Sequence, residues 1–430
     1  MSDFAFRTLA VSSRIFTQCE YGFAWVVFCR HEQAILERNA MSNGVLKMGM
    51  IGGGSGAFIG AVHRMAARLD GEAQLVAGCF SSTPEKAIAS GQSLGIADAR
   101  NYPTWQAMVE GEKKLPAGER VDFVTVVTPN ATHFEIARGC VRNGFAVVCD
   151  KPMVVSSAEA KTLQDEVQRA KTIFAVTYNY SGYPMVKQAR AMVRGGELGA
   201  IRTVQVEYHQ GWLANKIEAH GQKQADWRTN PAMSGGAGAI GDIGSHAEQL
   251  LRYVTGFEIE SLCADVSSFV EGRKVDDDAS VLLRFKRTDG VQAKGVLRVS
   301  QVEVGWENDL RISVHGTKGS LEWRQEHCNE LSVRMAGEPE RMYRRGNEYL
   351  HGVASEAGRI PPGHPEGFIE AFANVYRNVF KAIRAVNTGA DAMRAAEQFD
   401  FSGIADGAAS VRFIERALES AKSSAKWVDA

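Results

Sequence analysis

No C-x-x-C pair occurs among the seven cysteines, Cys19, Cys29, Cys79, Cys140, Cys149, Cys263 and Cys328. Their odd number and scattered spacing argue against a disulfide framework or a cysteine zinc site. They fit reduced, mostly buried thiols in a cytoplasmic protein. No cluster of histidines and cysteines suggests a metal, and none is expected. No apolar run approaches the roughly 18 residues that a membrane span needs. Lysine and arginine form no rich run and the net charge is −1, so there is no bulk attraction to nucleic acid or to an anionic membrane. Internal repeats and low-complexity segments are also missing. What remains is the composition of an ordinary globular protein, 45% hydrophobic and 23% charged, in 430 residues that suffice for two or three domains.

The first 40 residues stand apart. Tyr21–Cys29, "YGFAWVVFC", has the look of a signal-peptide apolar core, but the segment before it is weakly basic and no A-x-A cleavage site follows. Met41 opens "MSNGVLKMGMIGGG", which resembles a natural start just ahead of a first strand. Residues 1–40 are therefore read as an atypical N-terminal extension.

From Val45 the chain alternates. Val45–Ile51, Gln74–Phe80, Val121–Pro129, Phe145–Pro152 and Thr172–Tyr180 are apolar runs with strand character. Between them lie helical patterns at Ala57–Leu69, after Thr83-Pro84, at His133–Gly144 and at Ser157–Ala170. Strands alternating with such helices build βαβ units and a doubly wound parallel sheet, with the strands' C-terminal ends along one edge. After about Ser181 the texture changes. Ile201–Trp212, Ser280–Arg287, Val291–Val302, Asp309–Thr317 and Gly319–Gln325 alternate with a period of two, as an antiparallel sheet with one covered face does. Helices return near 366–385 and 403–423. The expected organisation is 41–180 as a nucleotide-binding α/β domain and 181–430 as an α+β domain with a large, mostly antiparallel sheet.

Six glycines, at 49, 52, 53, 54, 56 and 60, crowd the stretch Met48–Arg64. It lies between a buried strand and an amphipathic helix, where an interdomain linker would not sit. Glycines there permit a tight turn, let backbone N–H groups approach a pyrophosphate and leave a helix N-terminus pointing at its charge. Gly52 and Gly54 fit the first two positions of a dinucleotide fingerprint. Gly60 fits the helix-packing position if the loop is about three residues longer than usual. Gly56, Phe58 and Ile59 belong to the same expected cradle. Where the fingerprint wants an acidic residue at the end of the second strand, Ser81 and Ser82 stand instead. Without a carboxylate, a 2′-phosphate meets no repulsion. The cofactor is expected to be NAD or NADP.

Two further clusters carry chemistry. Asp150-Lys151-Pro152 lies at a strand's C-terminal end, where a lysine can donate to a substrate oxygen and favour a developing alkoxide. A surface lysine after a strand has the same local sequence. Asp242 and His246, four residues apart, share a face if the segment is an α-helix. Histidine suits proton abstraction near neutral pH, with the aspartate orienting it or bonding a hydroxyl. An N-cap aspartate and a structurally satisfied histidine have this spacing too. Tyr208–Trp212, "YHQGW", and Gly363–Phe368, "GHPEGF", offer stacking and polar groups for a sugar, though His209 and His364 could equally be satisfied locally.

Taken in order, the glycine loop, "VVTPNATH" (Val126–His133), "DKP", "YNYSGYP" (Tyr178–Pro184), "GELGAIRTVQVEY" and "GDIGSHAEQLLRY" resemble the Gfo/Idh/MocA oxidoreductases from roughly Val45 to the C-terminus. The resemblance implies a Rossmann domain followed by an α/β domain whose large sheet mediates homodimers or homotetramers. It implies hydride transfer between a nicotinamide and a hydroxyl-bearing carbon of a sugar, sugar derivative or cyclitol, with no metal. Lys151 matches the lysine of the family's Glu-Lys-Pro motif, with Asp150 in place of the usual glutamate. Asp242 and His246 match its D-x-x-x-H pair, which gives Lys151, Asp242 and His246 as the catalytic group. Thr128, Pro129, Asn130 and His133, with Asp150, match cofactor-lining positions. Tyr178, Trp227, Arg228 and His246 are the expected substrate contacts. Two other activities occur among such proteins: a redox-assisted glycosidase, which regenerates its bound NAD, and a dinucleotide-binding sensor without turnover. A pure sensor has no need of Lys151, Asp242 and His246.

Overall fold

Parallel strands form where the sequence runs apolar without interruption. The computed structural model describes residues 44–287, 290 and 292–430, so the expectation for residues 1–40 lies outside the described residues. In chain order the first part comprises β1 (Leu46–Gly52), α1 (Phe58–Arg68), β2 (Ala73–Cys79), α2 (Pro84–Ser93), α3 (Trp105–Lys114), β3 (Phe123–Val127), α4 (His133–Arg142), β4 (Ala146–Cys149), α5 (Ser157–Ala170) and β5 (Phe174–Val176). Its strands make a five-stranded parallel sheet in the order β2-β1-β3-β4-β5. Both faces of that sheet are covered. Met48, Met50 and Phe123 point into one apolar cluster, while Ile51, Val124 and Val126 point into another with Ile136 and Leu163. Covering on both sides is why these strands carry no polar alternation.

The last strand is shorter than the apolar run Thr172–Tyr180. Only Phe174–Val176 pairs, and Asn179–Gly182 winds into a 3₁₀ turn before α6 (Pro184–Arg194). On its inner side β5 pairs with β4, and on its outer side Ala175 bridges Gly403 ahead of the last long helix.

The second sheet is built from β6 (Ile201–His209), β7 (Ile259–Ser267), β8 (Asp278–Phe285), β9 (Lys294–Ser300), β10 (Asp309–Gly316), β11 (Gly319–Arg324), β12 (Glu330–Met335), β13 (Arg341–Arg344) and β14 (Trp427–Asp429). Its nine strands run β13-β12-β11-β10-β6-β9-β8-β7-β14, antiparallel except for the β6–β9 pair. Strand β9 alternates buried Gly295, Leu297 and Val299 with exposed Lys294 and Val296, as a sheet covered on one side requires. The covered face packs on α6 and on α8 (Ser245–Thr255), which follows a shorter helix, α7 (Lys223–Thr229).

The C-terminal helices do not stay with the second sheet. In α9 (Phe368–Asn387), Phe372, Tyr376 and Phe380 pack into the cluster beneath β1 and β3. After α10 (Ala392–Gln398), helix α11 (Ile404–Lys422) places Val411 against the first sheet and Phe413 and Ile414 against the second. Residues 45–430 accordingly cluster as one unit. Five cysteines are described, all free. Cys79, Cys140 and Cys149 are buried, and Cys263 and Cys328 are half-buried. Among the described residues no helix is long and apolar enough to cross a membrane.

Candidate active site

The strand β1 ends in Gly52, whose φ of +86° and position against Thr128 leave no room for a side chain: a Cβ there would sit 2.8 Å from the Thr128 methyl and 2.9 Å from the Val127 carbonyl oxygen. At Gly54 a Cβ would meet the Phe80 oxygen at 2.5 Å, and at Gly60 it would meet the Gly53 Cα at 2.3 Å. Gly60 thus lets α1 pack directly on the turn, three residues later than in the usual spacing. The first turn of α1 has neither a side-chain cap nor an acidic residue, so its N–H groups stand free for an anion. A pyrophosphate fits this cradle, which a side chain at Gly52 or Gly54 would fill.

The loop opens on a cleft of about 1520 Å³. Gly52, Gly54, Phe58, Ile59, Ser81, Ser82, Thr128, Pro129, Asn130, Asp150 and Lys151 line it, as expected from the sequence, together with Trp227, Arg228, Asp242 and His246. Three expected contacts do not. Gly56, at φ +75°, turns the loop's outer edge without lining the cleft. His133 is buried behind the wall, its ring nitrogens 2.9 Å from the Pro152 carbonyl oxygen and 2.7 Å from that of Thr128, so it braces the two cleft segments together. Tyr178 is also buried and lies edge-on to His246 with ring centroids 5.9 Å apart, against the imidazole and not on the cleft's lining. All three sit one residue or one layer beyond the surface, a distinction a linear motif does not carry.

Lys151 follows β4 and precedes Pro152 across a cis peptide bond. Its Nζ donates to the Asp242 backbone oxygen at 2.6 Å and to Asp242 Oδ1 at 2.7 Å. Oδ2 of Asp242 accepts from Arg228 Nε at 3.1 Å and from Gln301 Nε2 at 3.0 Å. Burial works against the Asp242 charge, but Lys151 and Arg228 beside it hold the carboxyl well below the usual carboxylate range. The carboxylate is therefore an anchor for two cations. The Arg228 guanidinium also lies over the Trp227 ring, 4.3 Å from its centroid.

The relation between Asp242 and His246 differs from the helical expectation. Ile240–Gly244 is a π-helical turn, and regular α-helix resumes only at Ser245. No hydrogen bond joins the two side chains; the Asp242 oxygens are taken by Lys151, Arg228 and Gln301. The glycines at 238, 241 and 244 permit this winding: a Cβ on Gly238 would lie 1.8 Å from the Asp276 oxygen. The buried Asp276 carboxylate accepts from the N–H groups of Gly238 and Ile240, both at 2.6 Å, and so ties down the start of the turn. Burial raises its carboxyl to about 6, although those two donors favour the charge.

His246 is set among Tyr178, Tyr180 and Tyr208, with the Tyr180 ring edge-on at 4.9 Å. Burial and then Lys151 push its imidazole well below its ordinary range, against the pull of Asp242. It is neutral at physiological pH and free to accept a proton. Its Nδ1 is buried without a hydrogen-bond partner. Beside it runs an amide and phenol network, in which Tyr208, Gln210 and Trp212 belong to the stretch the sequence offered for a sugar and Asn308 was missed. Tyr208 and Gln210 Nε2 donate to Asn308 Oδ1 at 2.6 and 2.7 Å, and Trp212 Nε1 donates to Gln210 Oε1 at 2.9 Å. The alternating "YHQGW" pattern held the signal for Gln210 and Trp212. Asn308 comes from a loop with no motif. His209 points away, with Nδ1 2.5 Å from Glu303, and His364 is an exposed loop residue outside the cleft.

Comparison with known proteins identifies the family and the fold. Residues 46–178 match the model of an oxidoreductase family with an NAD-binding Rossmann fold, and residues 186–322 match that of the GFO/IDH/MocA C-terminal domain. An uncharacterized oxidoreductase of Bacillus subtilis (strain 168) is 33% identical over 387 residues, covering 89% of this chain and 96% of its own. The levoglucosan dehydrogenase of Pseudarthrobacter phenanthrenivorans is 25% identical over 355 residues, covering 75% and 82%. Among solved structures, an inositol dehydrogenase homolog from Azotobacter vinelandii complexed with NAD+ superposes with a TM-score of 0.85 at 35% identity, covering 90% of this chain and 98% of that one. Its complex with NADH and myo-inositol gives 0.83 at 34% identity, with the same coverage. The chain is an NAD-binding Rossmann oxidoreductase. It belongs to the Gfo/Idh/MocA family.

Proposed function

We propose that this enzyme moves a hydride between a nicotinamide dinucleotide and a hydroxyl-bearing carbon of a polyhydroxylated ring, either a sugar derivative or a cyclitol. The observation that carries the reading is the Lys151 ammonium fastened to Asp242 in the same cleft as a neutral, buried His246. The bound cofactor supplies the acceptor or donor of the hydride. His246 accepts the hydroxyl proton, its imidazole held by the tyrosines around it. Lys151 donates to the same oxygen and favours its alkoxide character, and Asp242 fixes the ammonium in place. Arg228, Trp227 and Trp212 close the cleft's side and exclude water. Gln210 and Asn308 offer amides to neutral hydroxyls, in keeping with the inositol and levoglucosan that the relatives' names carry.

Two further parts belong to this reading. A second copy packs on the outer face of the nine-stranded sheet, giving a homodimer or homotetramer. It is supported by Leu282 and Val296, paired directly across strands and 49% and 40% exposed. A reducing, cytoplasmic setting is supported by the five described thiols, all free.

The test is absorbance at 340 nm with purified protein, NAD and NADP in parallel, across inositols, aldoses, glycosides and anhydrosugars. Growth of the signal with one ring class is expected. Release of free sugar from a glycoside without net cofactor reduction would replace this reading with a redox-assisted hydrolase.

A further inference from the structure

The glycine cradle has donors but no cation of its own. The first turn of α1 carries no side-chain cap, yet no lysine or arginine stands between Gly49 and Val62. Arg64, the next cation along α1, donates its Nη1 to the Gly53 carbonyl oxygen at 2.7 Å. A dinucleotide pyrophosphate carries two negative charges. Of the cations lining the cleft, Lys151 and Arg228 are already fastened to Asp242. Lys86 stands beyond Ser81 and Ser82, past the end of β2.

Lys223 is different. It opens α7, in the second part of the chain, and its Nζ lies 3.7 Å from where a Cβ on Gly56 would stand. It has no carboxylate partner among the described residues and lines the same cleft. A lysine amine beside the glycine loop and the uncapped first turn of α1, with no carboxylate of its own, lacks only an anion.

We propose that Lys223 is a further cofactor-binding residue, a cation that reaches from α7 across to the glycine loop and pairs with the pyrophosphate of the dinucleotide. The proposal rests on the dinucleotide reading of this cleft. It has a structural consequence. Lys223 and Arg228 are five residues apart on α7, roughly 7.5 Å along its axis. One end of the helix would hold the cofactor's phosphates, while the other holds Asp242 through Arg228. Cofactor binding then steadies the helix that positions the Asp242–Lys151 pair, and favours binding of cofactor before substrate.

The experiment measures affinity, not turnover. NADH and NADPH are titrated by fluorescence and ADP-ribose by calorimetry, against the full chain and its Lys223→Ala, Lys223→Glu and Lys223→Arg variants. Nicotinamide riboside, which has no phosphate, is the control ligand, and thermal unfolding midpoints verify the fold of each variant. Lys223→Ala should weaken both NADH and ADP-ribose about tenfold, as expected for losing one charge-assisted contact. Lys223→Glu should weaken them further and Lys223→Arg should largely restore them, while nicotinamide riboside stays unchanged. Added salt should weaken ADP-ribose binding less in Lys223→Ala than in the unaltered chain. An ADP-ribose affinity within twofold of the unaltered chain in Lys223→Ala overturns the proposal. So does an effect confined to NADPH, which would assign the lysine to the 2′-phosphate. If the unaltered chain binds neither NADH nor ADP-ribose, the dinucleotide reading itself fails, a result separate from either outcome in the variants.

Discussion

The glycine loop and the Lys151–Asp242–His246 cluster line one cleft and are made in opposite ways. The loop is local. Gly52 to Gly60 follow one another in the chain, and what they contribute is backbone: a positive φ, a close approach and the N–H groups of α1. The cluster is assembled from afar. Lys151 and Asp242 are 91 residues apart, and Gln301 is a further 59 from Asp242. What they contribute is charge, held in a fixed geometry by burial. A backbone device tolerates no added atoms. A charge device tolerates no lost partner.

The contrast sets the order of expected effects. Removing His246 takes away the proton acceptor, and removing Lys151 takes away the oxygen's donor together with one of the partners of Asp242. His246→Ala and Lys151→Ala should each lower kcat by about 10²–10⁴-fold, with NADH affinity nearly unchanged. Steady-state kinetics alongside fluorescence titration will check this, and near-normal kcat in either variant would end its assigned role.

The helix behind the loop carries a titrating group. Burial lowers the His63 imidazole from 6.5 to about 4, and its Nδ1 lies 2.6 Å from the Tyr376 hydroxyl. The folded state therefore binds fewer protons than the unfolded chain between these values. His63 contributes stability that is present above about pH 6.5 and lost as pH falls towards 4, about 3 kcal/mol in all. Urea midpoints measured from pH 7 to pH 4 should fall accordingly, and His63→Gln should flatten the curve.

Adding one carbon to the loop tests its backbone character. Gly60→Ala forces a Cβ to within 2.3 Å of the Gly53 Cα, so α1 must move off the turn. A loss of about 1–3 kcal/mol in stability is expected, with weaker NADH binding and kcat at saturation less affected. A variant whose unfolding midpoint and NADH affinity both match the unaltered chain would show that the close packing is dispensable. The smallest effect is at the ribose. Ser82→Asp restores a carboxylate beyond β2 and should weaken NADPH about tenfold while leaving NADH within a factor of three. Parallel titrations of the two cofactors measure it.

Much of the molecule could be read without coordinates. The helix over 157–170 appears with those bounds, and β1, β2, β6, β10 and β11 fall within three residues of expectation. Periodicity is a local property, and both sheets impose it. The strands β7, β12, β13 and β14, and helices α3 and α6, were not anticipated, because their patterns are short or mixed and tertiary pairing supplies what they lack. Tyr178 and His133 illustrate the limit at the site. Each stands in the right motif, one layer too deep, since a motif marks neighbourhood along the chain and not which atoms reach solvent.

Composition, period and the glycine loop by themselves determined a nucleotide-binding α/β unit followed by a mostly antiparallel sheet, and the resemblance carried by the ordered motifs added the oxidoreductase activity. Lys151, Asp242 and His246 came forward as a group through that resemblance, since each taken alone also has an ordinary structural use at a strand or helix end. Only the tertiary structure decided how the three relate. A π-turn separates Asp242 from the regular helix of His246, and long-range contacts commit the carboxylate to Lys151, Arg228 and Gln301. It also decided that α9 returns to the first sheet, and that Lys223 stands beside the glycine loop. Such relations depend on distances between residues far apart in the chain, which apolar surface closes by packing and which no local pattern encodes.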